Sequence, residues 1–250
     1  VIAWAQGRQG PFVVGLDRFR LLAPVPRPPK ILCMAGNYAE HWREGGLTAP
    51  SKEGHTPQVF IKPVTTITGH DAPILLPGPL CTAMDYEGEL AVVIGKTAKD
   101  VPIERALDYV AGYTVFNDIS GRKLTIDVPR EQSARTDYFD WLNGKWFDAS
   151  GPLGPYLTID EVADPQALTV AARVNGEVRQ HASTGDMIFN VAETVAWISR
   201  FLTLQAGDVI ATGTPSGVGA TTETYLKEGD IVEVEIERLG VLRNPVRSAV

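Results

Sequence analysis

The sequence predicts an α+β fold that is mainly β. Short runs rich in β-branched and aromatic residues recur along the chain, and Gly, Pro, Asn and Asp bound them. Asn175-Gly176 lies between two such runs and is a strong signal for a two-residue hairpin. Only two helices are clear from the pattern, which disfavours a doubly wound sheet with alternating strands and helices.

The predicted strands cover much of the chain after residue 29. In order they span residues 30–34, 59–62, 86–94, 110–118, 168–174, 208–212 and 231–236. A short helix is predicted over residues 104–110 and a longer one over residues 190–202. One face of the longer helix is apolar, which is typical of packing on a core, and it carries Val191, Val195, Ile198 and Leu202.

A proline-rich stretch divides the chain into two predicted units. Residues 1–23 contain short alternating runs typical of a small β appendage, which we expect to be truncated. The next residues form a stiff, extended linker containing Pro24, Pro26, Pro28 and Pro29. Residues 24–250 form the predicted catalytic domain, since 250 residues fit one large domain with a small appendage.

The composition is that of an ordinary globular protein, with 44% hydrophobic and 21% charged residues. The net charge of −7 argues against a nucleic-acid partner, which needs a basic surface. The apolar runs are too short to span a bilayer, so no membrane partner is expected. Cys33 and Cys81 have no close pairing, which favours buried free thiols and a reducing compartment, with the cytoplasm as the expected location.

The strongest candidate site is a pair of acids in the predicted strand 86–94. Glu87 and Glu89 are two residues apart, so both point to the same face of the strand. Adjacent carboxylates repel each other unless a cation lies between them, and Mg²⁺ and Mn²⁺ prefer oxygen ligands. The apolar run 90–94 indicates a strand buried on both faces, where carboxylates need a partner. A solvent-exposed acidic face is the alternative.

Three further segments carry weaker signals. Asp118 ends the next strand and is placed to be a third ligand, although such an acid is usually a turn residue or helix cap. Lys145 lies in an aromatic setting and either binds a substrate carboxylate or extends along the surface. Residues 212–219 form a Gly-rich loop that either directs backbone N–H groups at an anion or is a tight turn.

A short helix is predicted after Asn37, which we expect to cap it. His41 and Glu44 are three residues apart and therefore share a face of this helix. A carboxylate that orients an imidazole is the arrangement a general base needs. A surface ion pair is the alternative, and spacing alone favours it. Residues 45–58 then form a polar loop that is either a lid or an ordinary loop.

The order of these motifs along the chain resembles the fumarylacetoacetate hydrolase family. The resemblance extends from about residue 24 to the end of the chain and is specific at family level. The segments that carry it are Asn37-Tyr38 with His41 and Glu44, then FIKP (60–63), DYEGEL (85–90), NDIS (117–120), GKWFD (144–148), TGDMIF (184–189) and TGTPSGVG (212–219).

The resemblance implies a mixed β-sandwich roll with a few short helices. It also implies Mg²⁺ or Mn²⁺ held by Glu87, Glu89 and Asp118, and a homodimer. On the same grounds the catalytic residues are His41, Glu44 and Lys145. The residues implied to bind the oxo-acid end of the substrate are Tyr38, Arg122 and Thr214.

The segment after Asp118 departs from the family pattern. Family members commonly have Ser-Ala-Arg-Asp followed by a glutamine, whereas this chain has SGRK over residues 120–123 and Thr125 at the glutamine position. Loss of that polar contact suggests an altered substrate. The stretch 127–143 either shapes the specificity pocket or covers the core, and it carries Arg130, Arg135, Tyr138, Phe139 and Trp141.

The leading functional hypothesis is metal-assisted hydrolysis of a C–C bond in an acylpyruvate, a β-diketo acid. His41, oriented by Glu44, would deprotonate the attacking water, and Lys145 would stabilise the developing negative charge. Decarboxylation or isomerisation of an oxo-diacid in aromatic catabolism is the alternative, with an oxaloacetate-type or oxo-heptenedioate-type substrate and the same enolate. A non-catalytic metal-binding domain is a third possibility, but it would have no use for the His41–Glu44 pair.

Overall fold

Two packed β-sheets form the core of the computed structural model, in which residues 20–249 are described. The strands in chain order are β1 (Ile31–Ala35), β2 (Gln58–Lys62), β3 (Ile67–Thr68), β4 (Ile74–Leu76), β5 (Met84–Asp85), β6 (Gly88–Ile94), β7 (Val110–Asn117), β8 (Ser120–Gly121), β9 (Gly151–Thr158), β10 (Thr169–Val174), β11 (Glu177–Ser183), β12 (Val209–Ala211), β13 (Ile231–Ile236) and β14 (Gly240–Ser248). The α-helices are α1 (Ala39–Glu44), α2 (Ala134–Asn143), α3 (Val191–Phe201) and α4 (Gly219–Thr222).

The larger sheet has seven strands in the spatial order β2-β1-β12-β6-β7-β9-β3. The second sheet has five strands in the order β11-β10-β13-β14-β4, and β5 pairs with β8 separately. Most pairs are antiparallel, but β1 runs parallel to β12, β3 to β9 and β14 to β4. The sheets are therefore mixed, as the resemblance implied.

The two sheets pack face to face through β6, β7 and β9 on one side and β10, β13 and β14 on the other. Every residue of β6 is buried, whereas alternate residues of β13 are buried, so β6 lies inside and β13 has one outer face. A Cβ added at Gly88 would lie 2.9 Å from Val234 Cγ1 of the opposite sheet, so the first residue of β6 must be small. The predicted mainly β sandwich with few short helices is confirmed.

The local signals of the sequence correspond to real elements. Asn175 and Gly176 both have positive φ, 53° and 81°, as the turn between β10 and β11 requires. Helix α3 begins after Asn190, whose side chain accepts a hydrogen bond from the backbone of Glu193 and completes a capping box. Each of the seven predicted strands overlaps an observed one within two residues at either end.

Several other expectations were wrong or incomplete. Residues 104–110 form a 3₁₀ helix, Ile103–Tyr109, instead of an α-helix. Asn37 does not cap α1, because its side chain bonds the backbone of Phe189 and Thr212. Strands β9 and β14 were not predicted, because Gly and Pro within them read as turns. Helix α2 was missed because it has no fully buried residue and packs on the core only through Trp141 and Leu142 near its end, so its apolar periodicity is weak.

The predicted appendage over residues 1–23 lies largely outside the described residues, so that division of the chain stays a prediction. Cys33 and Cys81 are buried and free, as expected. Among residues 20–249, no helix has the length and apolar character that crossing a bilayer demands.

Candidate metal centre and active site

Three buried carboxylates meet at one end of strands β6 and β7. Glu87 precedes β6, Glu89 is its second residue, and Asp118 follows β7. Because β6 and β7 are antiparallel, with Gly88 opposite Asn117, the start of one strand lies beside the end of the other. One oxygen from each of Glu87, Glu89 and Asp118 lies within 4.8 Å of the others. A solvent-exposed acidic face is thereby ruled out.

Three cations surround this cluster but reach only two of its acids. Lys145 Nζ donates to Glu87 Oε2 and to Asp118 Oδ2, each at 2.8 Å. Lys62 Nζ donates to Asp118 Oδ1 at 2.7 Å, and Arg122 Nη2 donates to Glu87 Oε1. Buried charges are stable only when paired in this way.

Glu89 differs from its two neighbours, because its bonded partner is a neutral backbone group. Gly213 N–H donates to Glu89 Oε2 at 2.8 Å. Burial, together with the charges of Asp118 and Glu87, holds the pKa of the Glu89 carboxyl well above its usual range. Burial also tends to raise the pKa of Glu87, but the positive charges of Lys145 and Arg122 outweigh burial and lower that pKa.

The cluster fits a hard divalent cation. Glu87, Glu89 and Asp118 supply three carboxylate oxygens. A bound cation would offset the repulsion that the charges of Asp118 and Glu87 exert on Glu89. The Tyr38 hydroxyl is buried with no hydrogen-bond partner among the described residues, and the charge of Glu89 contributes to a raised Tyr38 pKa after burial itself. An additional oxygen ligand or a water molecule at the cluster would give this hydroxyl the hydrogen-bond partner that it lacks.

His41 and Glu44 form a hydrogen-bonded pair on α1. His41 Nδ1 lies 2.6 Å from Glu44 Oε1, and the two side chains are 25% and 16% exposed. Glu44 Oε2 also accepts a hydrogen bond from Gly217 N–H at 2.7 Å, so the loop before α4 holds the carboxylate in place. A loose surface ion pair is therefore excluded, and the imidazole has an orienting partner.

The Gly-rich loop 212–219 and the start of α4 do direct backbone N–H groups at anions, and those anions belong to the protein itself. Gly213 N–H binds Glu89, and Gly217 N–H binds Glu44. Gly219 and Ala220 N–H groups bind the buried carboxylate of Asp85, at 2.7 and 3.0 Å. The loop therefore links the carboxylate cluster to the His41–Glu44 pair.

Lys145 is buried, which excludes a surface lysine. Burial tends to lower its pKa, but Asp118 and Glu87 outweigh this effect and raise it, so Lys145 remains a cation at neutral pH. Its ammonium also lies 5.1 Å from the Phe60 ring centroid and 5.8 Å from that of Trp141.

A pocket of about 410 Å³ opens above the cluster. Among the predicted site residues, its wall includes His41, Glu87, Arg122, Lys145 and Thr214. These side chains come from five separate segments of the chain, which the fold brings to one cavity.

The three predicted substrate-binding residues have different positions. Arg122 lines the pocket, but its guanidinium bonds Asp85 as well as Glu87. Thr214 also lines the pocket, and its hydroxyl donates to Gly88 C=O at 3.2 Å. Tyr38 is buried and is not among the pocket-lining residues, so the structure does not bring it to the pocket with the others.

Sequence reasoning missed two charged residues of this centre. Lys62 was noted only as part of FIKP, although it shares the buried face of β2 with Phe60, two residues earlier. Asp85 was read as the start of a motif, yet its carboxylate accepts bonds from Arg122 and from the backbone of Gly219 and Ala220. The alternation in β2 was the available signal for Lys62, whereas nothing local indicated Asp85.

A buried carboxylate cluster beside an oriented imidazole, on a mixed β-sandwich, is the arrangement of a metal-dependent acid–base enzyme. The sequence profile described as "Fumarylacetoacetate (FAA) hydrolase C-terminal" matches residues 30–247. The chain therefore belongs to the fumarylacetoacetate hydrolase family.

Relatives with named activities share nearly all of this chain. A mitochondrial oxaloacetate tautomerase, FAHD2A of Bos taurus, is 45% identical over 228 residues, which is 90% of this chain and 68% of the relative. The oxaloacetate tautomerase YisK of Bacillus subtilis is 41% identical over 241 residues, 95% of this chain and 76% of the relative. The solved structure of maleylpyruvate hydrolase from Sphingobium sp. SYK-6, in complex with manganese(II) ion and pyruvate, is 31% identical with a TM-score of 0.76, and the match covers 95% of this chain and 77% of that one.

Metal binding by the cluster is directly testable. In calorimetric titration with Mn²⁺, Glu89→Gln should weaken binding by at least about 100-fold, because one of three charged oxygen ligands is lost. Asp208→Asn is the matched control. Asp208 is also buried and ion-paired, with Lys30 at 2.8 Å, but it lies at the other end of β12 from the cluster. Unchanged Mn²⁺ affinity in Glu89→Gln would contradict this assignment of the metal centre.

The raised pKa of Glu89 predicts how stability depends on pH in EDTA. Below about pH 4, near the usual glutamate pKa, the carboxyl is protonated in both the folded and the unfolded state. Its burial then adds no electrostatic penalty to the free energy of the folded protein. As pH rises, the unfolded state releases this proton while the folded state retains it, so the folded state loses stability. Thermal unfolding in EDTA should therefore show Glu89→Gln more stable than the unsubstituted protein at pH 8, with the difference shrinking towards pH 4. In excess Mn²⁺ at pH 8, the unsubstituted protein should be more stable than Glu89→Gln, because metal binding stabilises the folded state. If Glu89→Gln is instead less stable than the unsubstituted protein at pH 8 in EDTA, ionisation of Glu89 does not destabilise the folded state.

Proposed function

We propose that this protein is a divalent-metal-dependent tautomerase that interconverts the keto and enol forms of a 2-oxo acid of the oxaloacetate type. The observation that carries the proposal is His41, bonded to Glu44, on the wall of a pocket that Glu87 of the carboxylate centre also lines. Tautomerisation moves one proton between C3 and the 2-oxo oxygen, so an oriented acid–base group is its main requirement. The oxaloacetate tautomerases of Bos taurus and Bacillus subtilis support the choice.

The His41 imidazole is suited to exchange that proton. Glu44 occupies Nδ1, which leaves Nε2 to take the proton from C3 or return it. Gly217 N–H fixes the other oxygen of Glu44, so the imidazole is held in one orientation through both halves of the reaction. The negative charge of Glu44 stabilises the imidazolium that forms when the proton is taken up.

The charges around the pocket favour an anionic substrate and an enolate. Arg122 and Lys145 line it, and both remain cationic because their acidic partners outweigh burial and raise their pKa values. Mg²⁺ or Mn²⁺ held by Glu87, Glu89 and Asp118 would supply Lewis-acid stabilisation of an enolate. Lys145 holds Glu87 and Asp118 in place and adds a positive charge at the inner end of the pocket.

Hydrolysis of an acylpyruvate C–C bond is the second candidate. The same His41–Glu44 pair is placed to deprotonate a water molecule, and the structurally similar maleylpyruvate hydrolase of Sphingobium supports it. Decarboxylation or isomerisation of an oxo-diacid shares the enolate with tautomerisation and needs no attacking water. Tautomerisation is preferred because the relatives at 41–45% identity carry that name.

Two further expectations from the sequence remain part of the proposal. A homodimer is implied by the family resemblance, and a small oxo-acid, not a nucleic acid, is the partner that the charge balance favours. The cytoplasmic location also stays a prediction, since the relative from Bos taurus is named as mitochondrial.

The proposal is tested by following the decay of enol oxaloacetate at fixed Mn²⁺, with the same Mn²⁺ without protein as the baseline. His41→Ala should lower kcat/KM by about 100-fold or more, the usual contribution of a general base. His181→Ala is the matched control, because His181 is an exposed histidine on β11 outside the pocket, and it should retain full activity.

The same panel separates the two candidates. Decay of enol oxaloacetate no faster than the Mn²⁺ baseline, together with His41-dependent cleavage of acylpyruvate to pyruvate, would replace tautomerisation by hydrolysis. Equal activity of His41→Ala and the unsubstituted protein on both substrates would refute the role of the pair in either reaction.

A further inference from the structure

One wall of the pocket is a continuous series of aromatic rings. Phe60 and Trp141 are 5.0 Å apart between ring centroids and meet edge to face, and Trp141 and Tyr138 are 6.0 Å apart. The series begins at the buried Phe60, passes the half-buried Trp141 and ends at the exposed Tyr138. All three rings line the pocket. The wall therefore leads from the protein interior to solvent.

The inner end of this wall is the reactive end of the pocket. Lys145, which binds Glu87 and Asp118, lies over the Phe60 and Trp141 rings at 5.1 and 5.8 Å from their centroids. A substrate whose oxo-acid end meets the carboxylate centre therefore extends outwards along the aromatic wall.

Two further apolar residues line the pocket. Trp42 on α1 lines it, held in place by a hydrogen bond from its Nε1 to Gly36 C=O. Leu47, in the loop after α1, lines it as well, although 59% of its surface is exposed. A lining with this many apolar and aromatic side chains suits a flat or bulky apolar group.

Among the described residues, the outer part of the pocket offers no positively charged side chain to a second carboxylate on the substrate. Of the described residues on its wall, Arg122 and Lys145 carry the permanent positive charges, and both are already bound to acids of the centre. Thr125, which stands where the family commonly has a glutamine, is exposed and does not line the pocket. A carboxylate at the far end would therefore gain no cationic partner from the wall.

The volume agrees with this chemistry. About 410 Å³ lies within the range of roughly 300–1,000 Å³ found for pockets that bind drug-sized molecules, which is generous for a four-carbon diacid. We infer that the site prefers 2-oxo acids whose far end is an aryl or similarly large apolar group. This substrate class rests on the proposed tautomerase function for its reactive end.

Keto–enol tautomerisation of such a substrate conserves atoms and electrons. In phenylpyruvate the C3–H bond breaks, an O–H bond forms at the 2-oxo oxygen, and the C2–C3 bond becomes double. His41 takes the proton from C3, and the imidazolium so formed gives one proton back to the 2-oxo oxygen, so His41 ends neutral and neither oxidant nor reductant is needed.

Binding is measured separately from turnover. Calorimetry at fixed Mn²⁺ compares N-benzyloxamate, which lacks a C3–H bond, with oxamate, which lacks the aryl group. N-benzyloxamate should bind at least about 10-fold more tightly, the gain expected from burying one large apolar group. In turnover, kcat/KM for enol phenylpyruvate should exceed that for enol oxaloacetate by about 10-fold.

Matched substitutions on α2 test the wall. Tyr138→Ala and Trp141→Ala should reduce the affinity ratio of N-benzyloxamate to oxamate towards one. Tyr138 is exposed, so its substitution leaves the core intact. Phe139→Ala is the control, because Phe139 is an exposed aromatic residue of the same helix that does not line the pocket. Its ring packs edge to face on Tyr138, 5.5 Å between centroids, so this substitution should lower the ratio much less than Tyr138→Ala does.

The possible outcomes separate this inference from the proposed function. Equal affinity for the two oxamates, or a 10-fold preference for oxaloacetate in turnover, overturns the apolar substrate class while leaving tautomerisation intact. Tight, wall-dependent binding of N-benzyloxamate with turnover of neither enol supports the apolar subsite and refutes the tautomerase. Loss of the affinity ratio in Phe139→Ala to the same extent as in Tyr138→Ala also overturns the assignment of the wall.

Discussion

The burial of three carboxylates beside one another is the constraint on which the rest of the site depends. Glu87, Glu89 and Asp118 are brought together because β6 and β7 are antiparallel neighbours and the acids lie where those strands begin and end. Like charges at this distance, away from water, raise the free energy of the folded protein unless cations offset them. Lys62 and Lys145 partly do so, and the remaining imbalance at Glu89 is what makes the cluster suited to a metal.

The loop between β12 and α4 connects this constraint to the chemistry. Its backbone N–H groups bind Glu89 in the cluster, Glu44 beside the imidazole and Asp85 behind Arg122. Gly217 has φ of +102°, and an added Cβ would lie 2.0 Å from Arg179 C=O, so no other residue fits this position without moving β11. The carboxylate cluster and the His41–Glu44 pair are therefore bonded to the same loop, an arrangement suited to preorganised catalysis.

Features set by near neighbours in the chain were predictable. The hairpin at Asn175-Gly176, the capping residue of α3 and the common orientation of Glu87 and Glu89 depend on a few adjacent residues, so local rules apply. Features set by long-range contacts were not. Helix α2 has no fully buried side chain, yet it supplies Tyr138 and Trp141 to the pocket.

The sequence by itself determined a mainly β protein with an acidic pair in a buried strand and a histidine–glutamate pair on a short helix, because each of these follows from periodicity and spacing. The position of Asp118 at a strand end made it a candidate third ligand, and the family resemblance implied the roles of these residues. Only the tertiary structure decided that Lys145 is a buried partner of two acids, that Tyr38 is buried without lining the pocket and that Asp85 anchors Arg122. Those outcomes depend on which distant segments meet, and buried charges are placed by that meeting and not by their neighbours in the chain.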